Sequence, residues 1–158
     1  MTPLKSMPAA LVAAVLLIPV AATAGPFSTL AGAWSGSGRM TMADGNTEQL
    51  RCRASYDVGG TGDNLRLNIR CASQSYNFDL GGNVAYRGGR ISGTWSEASR
   101  NAGGSVAGTA NENMIQAMAT GENFSASLSL STRGDKQTVA IRSQGTDISG
   151  VSLALNRN

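Results

Sequence analysis

Arginines flank Cys52 on both sides, as Arg51-Cys52-Arg53, and Arg66 and Arg70 lead up to Cys71, while the 158 residues include no histidine. Without imidazole, neither a Ser/His/Asp triad nor a histidine metal site can be assembled. Two thiolates alone would half-fill a tetrahedral zinc site, so the cysteines read as a disulfide. The chemistry left to the chain is that of guanidinium, carboxylate and aromatic rings. Eleven of its thirteen cations are arginine, whose planar fork pairs bidentately with carboxylate, sulfate or phosphate.

A second cluster follows Trp95, where "GTWSEASRN" places Glu97, Arg100 and Asn101 on a connection running to Gly104. A carboxylate desolvated beside an indole has its pKa raised, as a general acid requires. That makes Glu97 the candidate for a carboxylate-dependent hydrolase, although the loop supplies no second carboxylate for glycosidase chemistry. Two other readings stand beside it: a polar hairpin loop with Glu97 and Arg100 paired, and a ligand-contacting loop. Tyr56, Tyr76 and Phe78 are the further aromatic candidates for ligand contact. The other carboxylates mostly sit in turn-like contexts, where Asp beside Gly caps backbone.

The elements that must position these residues are strands. "NFSASLSLS" from Asn123 to Ser131 alternates Phe124, Ala126, Leu128 and Leu130 with serine, the period-two signature of a half-buried strand. Similar runs are 39–42, 48–56, 65–71, 76–80, 90–97, 105–110, 137–142 and 151–155, while 113–120 fits either a strand or a helical turn. Turns are expected at Ala43 to Asn46, Gly59 to Asn64, Gly81-Gly82-Asn83, Arg87-Gly88-Gly89, Arg133 to Asp135 and Gly145 to Asp147. Short hairpin connections leave no room for crossover helices, so the sheet is antiparallel. The expectation is one all-β domain, an up-and-down barrel of about 8–9 strands, with a β-sandwich as second choice.

Strand arithmetic locates the cysteines. With Cys52 opposite Cys71 the turn centre falls inside "GGTGDN", making the disulfide a rung of one hairpin that contributes about 3 kcal/mol by constraining the unfolded chain. Arg51, Arg53, Arg66 and Arg70 then share the opposite face, with Arg53 across from Arg70. Like charges so placed destabilise a sheet unless an anion lies between them. A tight turn at Ser73-Gln74 would put Asp79 across from Asn68. The face reads either as solvated with one salt bridge or as an anion site.

Residues 1–24 have the charge, apolar core and small-residue ending of a secretory signal, with cleavage expected after Ala24 and residues 25–158 left as the barrel domain. The apolar run is too short, and interrupted by Pro19, for a membrane span. Periplasm or secretion is the expected location, which suits a disulfide. Loss of Lys5 lowers the formal charge from +3 to +2, too small a bias to imply nucleic acid.

Gly32-Ala33-Trp34, soon after the leader and opening a β-rich chain, resembles the first strand of the calycin barrels, the lipocalins and avidins. The resemblance implies that Trp34 closes one barrel end and that Arg157 or Arg142 packs across it. Avidins line their pocket with several tryptophans, whereas this chain has two, so biotin is not expected. The wider pattern also resembles small exported bacterial proteins without assigned function. The functional expectation is a non-enzymatic binding protein, without cofactor or metal, that holds a small hydrophobic or amphipathic ligand near Trp95. Its alternative is an envelope protein binding anionic lipid or polysaccharide through the arginine face.

Overall fold

The computed structural model describes residues 16–158. The first fifteen residues of the expected signal lie outside the described residues; residues 16–24 are exposed and without regular structure. A 3-10 helix, Pro26–Thr29, precedes ten strands: β1 Gly32–Met42, β2 Thr47–Gly59, β3 Asn64–Ala72, β4 Asn77–Arg87, β5 Arg90–Glu97, β6 Ala102–Ala110, β7 Met114–Gly121, β8 Phe124–Arg133, β9 Lys136–Gln144 and β10 Ile148–Arg157. Each pairs antiparallel with its sequence neighbours and β1 pairs with β10, closing the barrel. The second choice, a sandwich, is thereby superseded. Closure removes the free edges that a sheet with so few large side chains could not protect.

The strand count exceeds the expected eight or nine because the ambiguous segment 113–120 forms a strand, and one expected turn is absent. Gly81-Gly82-Asn83 is not a turn but the middle of β4, whose pairing with β3 runs unbroken from Asn77 to Ala85. Neither glycine has positive φ, and a tight turn of the hairpin kind needs it. A Cβ at Gly82 would stand 3.2 Å from the Leu67 side chain, so the pair answers to crowding across the sheet. The ambiguous segment 113–120 is a strand, β7. Asn123, which read as a strand residue, is instead in the two-residue β7–β8 turn with a φ of 56°.

Inward positions are those sequence alternation selects, including Leu50, Cys52, Ala54 and Tyr56 on β2 and Ala126 and Leu130 on β8. The outer wall carries arginine, serine and threonine. That polarity is the reverse of a membrane barrel, which is apolar outside.

One end is plugged. Phe27, Leu30 and Trp34 are at most 1% exposed, and the Trp34 indole N–H donates to the Leu30 carbonyl at 2.7 Å. Pro26 suits the helix start, where its missing N–H has no intrahelical role. Gly25 and Phe27 donate backbone hydrogen bonds to Thr61 and Gly62, which tie the plug to the β2–β3 turn. Of the two arginines expected to cross Trp34, Arg157 does so, its guanidinium carbon 4.3 Å from the ring centroid. It also donates to the carbonyls of Thr29 and Ala31 and pairs with Asp135. Arg142 lies on β9, opposite Gly150 and Ser127.

Candidate functional site

The Cys52–Cys71 disulfide is present, with Cα atoms 4.1 Å apart and the two residues in register. Arg53 stands across from Arg70 as expected. Asp79 does not face Asn68: it is opposite Arg70, and Asn68 faces Gly81. The β3–β4 turn is one residue further along the chain, closed by Ser73 N–H donating to the Tyr76 carbonyl at 2.8 Å and by Tyr76 N–H donating to Ser73 Oγ. This displaces the pairing by two and gives Arg70 its own counter-ion, Asp79 at 3.4 Å. Asn68 still donates to Asp79 Oδ1 at 3.0 Å, from the diagonal position.

Arg51, Arg53 and Arg70 line one groove on the outer wall, of about 740 Å³, with Ser35, Ser37 and Asn77 among its other walls. Arg66 stands apart from them. It is opposite Asp57 and borders a smaller depression of about 360 Å³ floored by Gly81 and Gly82.

The expected loop from Glu97 to Gly104 is a four-residue turn, Ala98 to Asn101, because β6 begins at Ala102 and pairs there with Glu97. Asn101 takes a φ of 50° to close it. Glu97 is 5% exposed. Its Oε1 accepts from the Asp79 N–H at 2.8 Å and from the Ser99 hydroxyl, and its Oε2 accepts from the Arg100 N–H at 2.8 Å with the Arg100 guanidinium at 3.4 Å. Burial raises its pKa, but these hydrogen bonds outweigh burial and hold it below the ordinary value. The expected upward shift is therefore corrected. Both oxygens are occupied in clamping the turn, an arrangement opposite to that of a general acid.

The aromatic candidates divide between the barrel ends. Tyr56 belongs to the plugged end: it is 4% exposed, packs edge-on against Trp34 and donates to the Gln137 carboxamide oxygen at 2.8 Å. Burial pushes its hydroxyl well above the ordinary value of 10, against the smaller opposing effect of that bond. At the other end Tyr76 and Phe78 stack in parallel with centroids 6.1 Å apart. Arg100 lies over both, 4.8 Å from the Phe78 centroid and 5.7 Å from that of Tyr76. Trp95 is near this end too, against Phe124 at 5.3 Å, with its indole N–H donating to the Thr120 carbonyl.

Inward apolar side chains on this half of the barrel, among them Leu67, Ile69, Leu128, Ile141 and Val151, are only partly buried. The plugged end is closed by fully buried side chains; toward the other end Met40 and Leu50 are also buried, but the inner wall leading to Tyr76, Phe78, Trp95 and Phe124 keeps apolar side chains partly exposed. Sequence reading missed Phe124 as the partner of Trp95 and Gln137 as the partner of Tyr56. Gln137 was detectable, since it occupies the inward alternation that Val139 and Ile141 continue. Among the described residues, no three His, Cys, Asp or Glu side chains gather to hold a metal ion.

No protein-family model and no curated protein sequence matches the chain. Several solved structures share its architecture, two among them as follows. One is the S-type phycobiliprotein lyase CPES from Guillardia theta, with a TM-score of 0.63 at 9% identity over 84% of this chain and 90% of that one. The other is Rv2717c from M. tuberculosis, with a TM-score of 0.63 at 14% identity over 83% of this chain and 94% of that one. At such identities the likeness shows the fold alone, a closed antiparallel β-barrel.

Proposed function

We propose that this chain is an exported, non-enzymatic binding protein that takes a small hydrophobic or amphipathic ligand into its barrel through the end opposite the 3-10 plug. One observation carries the reading: Leu67, Ile69, Leu128, Ile141 and Val151 point inward yet remain partly exposed. Apolar wall held open to water at one end, with a few polar groups at its rim, is the usual form of a small-ligand site. The calycin-like fold is typical of small-ligand binding proteins. Export is supported by the leader-like residues 1–24 and by the disulfide, which persists in oxidising compartments.

Fluorescence titration with cis-parinaric acid tests the reading. Wild type is expected to take up the probe saturably, and Ala117→Trp, which places an indole on the inner wall of β7 opposite Leu128, is expected to abolish uptake while the disulfide still forms. Absence of uptake by the wild type, or unchanged uptake by Ala117→Trp, overturns it. Native mass spectrometry of protein purified from its own host would identify the natural ligand by mass.

A further inference from the structure

The outer groove over the disulfide hairpin has a charge problem that nothing else in the fold explains. Arg53 stands opposite Arg70, with Ser35 on its other side, and Arg51 stands opposite Ser37. Cations directly opposite one another destabilise a sheet. Of these three arginines only Arg70 has a carboxylate partner among the described residues, Asp79 at 3.4 Å, and neither Arg51 nor Arg53 has one within the 4.0 Å of an ion pair. The Arg70 side chain is 72% exposed and that of Asp79 37%, so this pair contributes little and yields readily to a competing anion. Three guanidiniums facing one carboxylate leave two positive charges without partners, in a groove of about 740 Å³.

The remaining side chains say which anion fits. Ser37 and Asn77 supply a hydroxyl and an amide, and the Ser35 hydroxyl, which donates to Asn158 Oδ1, still has acceptor capacity; these are the partners a polyhydroxylated ligand needs. A surface that docks on a membrane inserts apolar side chains among the headgroups, but the exposed large apolar side chains of the barrel, Met114 and Met118, are on β7, away from β1–β4. The volume also exceeds that of a single oxyanion. We infer that this groove is a second binding site, for an acidic saccharide. Its phosphate, sulfate or carboxylate group lies between Arg53 and Arg70, with Arg51 beside it, and its hydroxyls meet Ser35, Ser37 and Asn77. The inference does not rest on the barrel interior, so either site can fail without the other.

Calorimetric titration tests it with three probes: a heparin-derived hexasaccharide, a galacturonate hexasaccharide, and vesicles containing phosphatidylglycerol. Neutral maltohexaose is the blank. At least one acidic saccharide is expected to bind, with affinity falling as salt rises. Arg53→Gln is expected to weaken that binding about tenfold or more, as befits a lost charge-assisted hydrogen bond. Because it also removes the repulsion across from Arg70, the same variant is expected to melt no lower than wild type, a combination that a merely structural role does not produce. Arg133→Gln, on β8, is expected to bind like wild type. The inference is overturned if no acidic saccharide binds, if Arg53→Gln changes its affinity by less than about twofold, or if the vesicles alone are bound.

Discussion

Glu97 shows how context assigns a role to a residue that sequence leaves open. Beside Trp95 it has the makings of a raised-pKa acid, but β4 and the short β5–β6 turn together present it with two backbone N–H groups, a hydroxyl and a guanidinium. Its pKa is lowered on folding, so the folded protein holds the ionised form where the unfolded chain takes up a proton. The resulting stability is fully present above the ordinary value of 4.5 and is lost as pH falls through the lowered one. Glu97→Gln is therefore expected to cost about 1–3 kcal/mol at neutral pH and to flatten the acid limb of a stability-versus-pH curve from denaturant melts. At the plugged end Tyr56→Phe leaves Gln137, 1% exposed, without its hydroxyl partner. A loss of about 1–2 kcal/mol in urea unfolding is expected.

Among the elements, β1 carries the greatest demand, because it must start at the plug and also close the barrel against β10. A Cβ built on Gly36 or Gly38 would collide with the carbonyl groups of Ala154 and Ser152 respectively. The alternating glycines of "GAWSGSGRM" thus let two backbones approach at the closing seam. Gly38→Val is expected to lower thermal stability and to raise hydrogen exchange in β1 and β10 before the other strands, since its collision is with backbone and not with a flexible side chain. The plug depends on Arg157 in the same way: one guanidinium stacks on Trp34 and holds two carbonyls of the 26–31 segment. Arg157→Ala is expected to cost about 1–3 kcal/mol, with exchange rising first at residues 26–34.

At the scale of the molecule, the barrel has a lean interior and a single covalent tie. The Cys52–Cys71 bond closes a loop of 19 residues' separation, and its loss should cost about 3 kcal/mol, mostly through greater freedom of the unfolded chain. Reduction by dithiothreitol is accordingly expected to lower the melting temperature by roughly 10 °C. Such a tie suits a barrel with few large inward side chains, which gains less from apolar burial.

The strand alternation, the hairpin disulfide and the antiparallel connectivity were legible in the sequence, because each depends on neighbours close along the chain. Period two selects the inward face locally, and the index sum of Cys52 and Cys71 fixes one hairpin register. The Gly-x-Trp start of β1 pointed to Trp34 as the closure of one barrel end, where it lies buried under Arg157. Tertiary structure alone decided what depends on distant strands meeting. It closed β1 on β10, kept Gly81 and Gly82 extended against Leu67, moved Asp79 opposite Arg70 through a turn displaced by one residue, and divided the aromatic residues between a plugged and an open end. A one-residue change in a turn shifts every pair beyond it, and no local pattern reports which carboxylate an arginine will meet across the sheet.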